Sequence, residues 1–137
     1  MNYDYHCGVI DAFNEVIKAE VKNMALSHPS TEEEIQQLLP FVEMITKQYG
    51  THYEIEPDLL ITDLFPKSAN DGKTVILFWK HPNIIETYHA LKQQKALALQ
   101  NNTYNEVREE IARSFGKLLS YSDDAITQYI QNNTEKE

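Results

Sequence analysis

Thr74-Val75-Ile76-Leu77-Phe78-Trp79 is the longest strongly apolar run in this chain, entered through Asp71-Gly72 and left through His81-Pro82-Asn83. A short run rich in β-branched and aromatic residues, with turn signals at both ends, predicts a strand buried on both faces. A strand of that kind needs partners and cover, so the flanking sequence is read for both.

Upstream, His52-Tyr53-Glu54-Ile55-Glu56 alternates in strand fashion. Residues 58–65 form an apolar island between Pro57 and Pro66; Ile61 and Thr62 are β-branched, which favours a strand there over a short helix. Residues 67–73 are loop chemistry throughout. Together these predict a small, mainly antiparallel sheet of two or three strands.

The cover is helical. Val9, Ile10, Phe13, Val16, Ile17, Val21, Met24 and Ala25 recur at spacings of three and four, predicting a helix from about Gly8 to Ser27. Ser30 and Glu33 match a capping box, and Ile35, Leu38, Leu39, Val42, Ile45 and Tyr49 continue an apolar face up to a Gly50 stop. Pro40 interrupts that face, so a kink or two abutting helices are expected. Beyond the sheet, Asn83 is the expected cap of a helix ending at Asn101-Asn102, and Thr103 with Glu106 forms a second capping-box pattern. Ser122 then caps a last helix, with Tyr121 and Ile126 spaced as a hydrophobic staple. The predicted class is α+β: about five helices around the sheet, as one domain over residues 1–131, with 132–137 a frayed polar tail.

Composition narrows the functional classes. Of 137 residues, 12 are Lys or Arg and 21 are Asp or Glu, a formal net charge of -9. That sign disfavours direct contact with nucleic acid or an anionic membrane surface and suits a basic protein partner. Cys7 is the sole cysteine, so no internal disulfide can form. The first residues lack a basic flank and an apolar segment, and no stretch has the length of a membrane span, so a cytoplasmic protein is expected.

Three places offer chemistry. Cys7, beside His6 and placed before the first predicted helix, could have a thiolate stabilised by unpaired amides, the basis of a thiol-dependent enzyme. Trp79, Lys80 and His81 at the strand exit, with the Asn83 helix start, gather cation donors beside an aromatic, the basis of an anion or small-molecule site. Glu32, Glu33, Glu34 and Glu43 on one helix, and Glu106, Glu109 and Glu110 on another, form acidic faces.

Glu86 and His89 share one helical face, but no second Glu-x-x-His unit and no Cys or His pair accompanies them, so no metal and no cofactor are expected. Ala112 and Gly116 echo a helix-turn-helix, yet the following helix opens with Asp123-Asp124 and carries no Arg or Lys to read bases. Glycine-rich phosphate loops and Gly-x-Ser-x-Gly elbows are absent. The leading expectation is a non-catalytic interaction or regulatory module, possible forms being an acidic mimic or inhibitor that occupies a nucleic-acid-binding protein's site.

Overall fold

A computed structural model describes residues 1–137 and has an α+β fold: five α-helices and one three-stranded antiparallel sheet. The helices are α1 (Tyr3–Lys18), α2 (Glu32–Tyr49), α3 (Pro82–Gln100), α4 (Tyr104–Leu118) and α5 (Asp123–Asn132). The strands are β1 (Met24–Leu26), β2 (His52–Glu56) and β3 (Val75–Trp79), in the order β1-β3-β2. No helix is long and apolar enough to cross a membrane. Where the sequence reads as one domain, the chain divides into two compact units: Met1–Leu59 with Asn70–Pro82, and Leu60–Ala69 with Asn83–Glu137.

The first unit is organised around β3. Val75 to Phe78 are buried, which matches a strand covered on both faces. Ile76 and Phe78 join Ala25 of β1 and the apolar stripes of α1 (Cys7, Ile10, Ile17) and α2 (Ile35, Leu38, Val42, Ile45) in one cluster. Burying side chains of this size stabilises the fold by roughly 1.5–3 kcal/mol each. A buried hydrogen bond tethers the same layer: Thr51 Oγ1 donates to Asn14 Oδ1 at 2.7 Å, while Asn14 Nδ2 donates to the Ile10 carbonyl at 2.8 Å.

Several expected boundaries are corrected. The first helix ends at Lys18, and Met24–Leu26 pairs with β3 as a strand. Glu20 adopts φ 63, its amide donating to the Ile17 carbonyl and that of Val21 to the Val16 carbonyl. That is a Schellman stop built without glycine. The capping box is Thr31 with Glu34, each side chain bonding the other's backbone. Ser30 instead pairs with Thr74 as an isolated bridge. Pro40 does not split α2: it is exposed, and so is Gln36, whose carbonyl can turn to water.

Residues 58–65, of which 60–65 belong to the second unit, are neither strand nor helix, contrary to the expected strand. The island is held by side chains instead. The Leu60 amide donates to the Tyr88 hydroxyl, and Asn133 Nδ2 donates to the carbonyls of Asp63 and Phe65. The same Asn133 is buried, and the Lys67 amide donates to the Glu135 carbonyl, so the 132–137 segment is pinned rather than frayed. Ser122 caps α5 as expected, accepting from the Ala125 amide. Tyr121 packs with Phe65 and stacks on Tyr129 at 5.3 Å between centroids.

Candidate functional site

Each candidate from the sequence now has a location. Cys7 lies inside α1, because the helix starts at Tyr3 rather than near Gly8, with Asn2 capping it by accepting from the Tyr5 amide. The thiol is therefore not set against a free helix end. It is buried and belongs to the apolar cluster of the first unit. His6 does meet another histidine: its ring lies 5.1 Å from that of His28, edge to face, and Tyr5 stacks on His28. Burial, with a smaller contribution from the His28 charge, lowers the His6 pKa below its usual value.

The strand exit is also occupied. His81 Nε2 lies 2.6 Å from Glu20 Oε1, and Lys80 Nζ lies 3.8 Å from Glu20 Oε2. Lys80 Nζ further donates to the Lys18 carbonyl in the last turn of α1. A cation there complements the negative end of the helix dipole. The hydrogen bond from His81, more than the Lys80 charge, lowers the Glu20 pKa. These cations thus brace the α1 stop, and Trp79 faces His52 at 6.0 Å between ring centroids. Asn83 is a residue of α3, which begins at Pro82, so the expected cap is corrected; Asn83 also belongs to the second unit.

The acidic residues divide by role. Glu34 is held in the α2 capping box, where hydrogen bonds from the Thr31 backbone and hydroxyl lower its pKa. Glu43 accepts from the Tyr53 hydroxyl at 3.1 Å. Glu32 and Glu33 are exposed. On α4, Glu106, Glu109 and Glu110 are exposed, and Glu109 pairs with Arg113 across one helical turn at 3.7 Å. Twelve of the 21 acidic residues and five of the 12 basic ones fall in the first unit, so it carries seven of the nine net negative charges.

One feature of the second unit carries no sequence motif. A pocket of about 390 Å³ opens at the turn between α3 and α4, lined by Leu99, Asn102, Tyr104, Asn105, Arg108 and Glu137. Asn102 makes the turn with φ 58, and Thr103, at the start of α4, makes no side-chain cap. Arg108 bonds both carboxylate oxygens of buried Asp63 at 2.9 Å and donates to Asn105 Oδ1 at 2.8 Å. Its guanidinium lies 5.0 Å from the Tyr104 ring centroid, and Lys95 Nζ lies 5.4 Å from the same centroid. Lys95 is itself buried, donating to the Ile61 carbonyl and pairing with Glu137 Oε1 at 2.6 Å.

The Tyr104 hydroxyl is buried without a hydrogen-bond partner. Burial, and then the Asp63 charge, raises the Tyr104 pKa. The Tyr104–Arg108 spacing of one helical turn was the only trace of this arrangement in the sequence, and it reads equally as an ordinary helix face. Comparison of the chain with protein-family models, curated proteins and solved structures finds no match, so the functional reading rests on this geometry and on the charge distribution.

Proposed function

We propose that the protein is a non-catalytic interaction module that binds a basic protein partner through the acidic surface of its first unit. The observation that carries the reading is the concentration of charge there: seven of nine net negative charges, with Lys80 and His81 paired to Glu20 at the surface. The exposed carboxylates of that unit, Glu32, Glu33 and Glu43 among them, face whatever approaches. Fields of this kind steer oppositely charged partners and fall off with salt. A cytoplasmic setting and the mimicry of a nucleic-acid surface are the finer forms of the same proposal.

The test is capture of a basic partner from a lysate of the native host by the whole protein and by a Glu32→Gln/Glu33→Gln/Glu43→Gln variant. The expected result is recovery at about 0.05 M salt and loss near about 0.5 M, with the variant recovering less at low salt. Release of the partner by heparin supports the mimic form. Capture that is indifferent to salt and to the triple variant overturns the reading.

A further inference from the structure

The turn that feeds β3 carries a pair of residues that the acidic-surface reading does not use. Asp71 is followed by Gly72, and no other aspartate or asparagine in the chain precedes a glycine. Both residues are exposed. They form the middle of a turn closed by the Lys73 amide, which donates to the Asn70 carbonyl at 2.9 Å. Gly72 takes φ 67, and a Cβ there would meet nothing within 4 Å.

Hydrogen bonding around this turn is uneven. The Lys73 amide is bound, and Thr74 and Ser30 exchange both backbone bonds, at 2.8 Å and 2.9 Å. The Gly72 amide and the Asp71 carboxylate have no hydrogen bond and no ion pair. Other aspartates are engaged: Asp63 pairs with Arg108, Asp123 pairs with Lys117, and Asp11 accepts from Tyr49. An unbound amide nitrogen next to an unbound carboxyl can attack it. Glycine helps twice, since no side chain shields its nitrogen and its backbone freedom lets the amide swing toward the Asp71 Cγ.

We propose that Asp71 is a site of spontaneous isoaspartate formation in the folded protein. The Gly72 nitrogen bonds to Asp71 Cγ, the Cγ–OH bond of the protonated carboxyl breaks, and the hydroxyl leaves with the amide proton as water. The product is a five-membered succinimide. Water then opens the ring at either of its two carbonyls. Opening at the main-chain carbonyl carbon of Asp71 gives isoaspartate: the chain now runs through Cβ and Cγ, one atom longer, and a free α-carboxylate stands at the surface. The extra atom falls inside the turn closed by Lys73 and Asn70, so that bond is the one lost. The Ser30–Thr74 pair beyond it keeps β3 in register. The new α-carboxylate is the group that an isoaspartyl methyltransferase esterifies, by moving the methyl group of S-adenosylmethionine onto one of its oxygens.

The experiment incubates the whole folded protein at neutral pH in water enriched in heavy oxygen, beside Asp71→Glu and Asp71→Asn. Digestion in ordinary water and mass spectrometry with electron-transfer fragmentation then map each aspartate. Heavy oxygen and isoaspartate are expected at residue 71 at about ten times the level of any other aspartate, the ratio given by a barrier lower by about 1.4 kcal/mol. Asp71→Glu, whose ring would have six members, should take up neither. Asp71→Asn should react faster than the parent and release ammonia in place of water. Aged parent, and not aged Asp71→Glu, should accept labelled methyl from S-adenosylmethionine when an isoaspartyl methyltransferase is added. Heavy oxygen at residue 71 no higher than at the other aspartates, or isoaspartate that forms only in the urea-unfolded chain, would overturn the proposal.

Discussion

Ile126 Cγ1 and Cδ1 lie 2.5 Å and 2.8 Å from the point where a Cβ on Gly116 would stand, with Leu64 Cδ1 at 3.5 Å on another side. Gly116 is therefore a point of close packing between α4 and α5, and Ile126 fills the notch that its missing side chain leaves. The sequence pattern of Ala112 and Gly116 echoes a helix-turn-helix but lacks the basic residues to read bases. The packing gives the glycine a different reason to exist.

Gly116→Ala sets two effects against each other. Alanine in a helix interior is favoured over glycine by about 1 kcal/mol, whereas a new methyl that forces a fully buried isoleucine to shift within the core costs about 1–3 kcal/mol. The contact distances decide for the second, so Gly116→Ala is expected to lower stability in urea denaturation. In an Ile126→Ala background the same substitution should be neutral or stabilising, because both clashing atoms are gone. A Gly116→Ala protein as stable as the parent would show that the helices can part cheaply.

The Asp63–Arg108 pair ties the irregular 58–65 island to α4. Asp63 is buried to 7% side-chain exposure and bonded by both Arg108 Nε and Nη2. Arg108→Met leaves that carboxylate buried without its counter-charge, and breaking such a pair from one side costs about 3–5 kcal/mol. Asp63→Asn combined with Arg108→Met should recover a large share of the loss, since the stranded charge is then removed. Denaturation of the three variants measures it. A small effect of Arg108→Met alone would mean that water reaches Asp63.

The α+β class and the central strand were legible because they rest on periodicity and burial, which a single sequence carries well. Thr74 to Trp79 differs from the observed strand by one residue. What was not legible shares a physical cause: local signals were replaced by distant partners. The first helix stops at a left-handed residue that is not glycine, Glu20, so the usual stop signal is missing. The missed strand β1 follows it, and its Met24 and Ala25 happen to continue the helical spacing. Residues 58–65 have strand composition yet hold their place through Tyr88, Lys95, Arg108 and Asn133, all contributed from elsewhere in the chain. The pocket at Tyr104 brings Leu99 and Arg108 together with Glu137, a set with no spacing to detect.

Tyr49 donates to Asp11 Oδ1 at 2.6 Å, and its pKa is pushed from 10.0 to about 12, chiefly by that hydrogen bond. The shift is upward, so the fold favours the protonated phenol. This contribution to stability is complete below the unfolded value and is lost as pH rises through the folded one. Absorbance titration of tyrosinate should therefore show Tyr49 among the tyrosines that ionise late in the native protein. In Asp11→Asn that late step should move back toward the ordinary range. Identical titration curves for the two proteins would mean that the bond does not persist in solution.

His6 gives the opposite sign at lower pH. Its pKa is lowered from 6.5, first by burial and then by the charge of His28, whose ring is 5.1 Å away. The fold thus disfavours the imidazolium. The unfolded chain takes up this proton before the folded one does, so stability is fully present above the unfolded value and declines as pH falls toward the folded one. Proton NMR should find His6 titrating below the usual histidine range. His28→Gln, which removes the charge but keeps a side chain against the His6 ring, should raise it only in part, because desolvation is the larger cause. A His6 that returns fully to its ordinary value in His28→Gln would assign the shift to the neighbouring charge instead, and with it the acid sensitivity of the α1 end of the first unit.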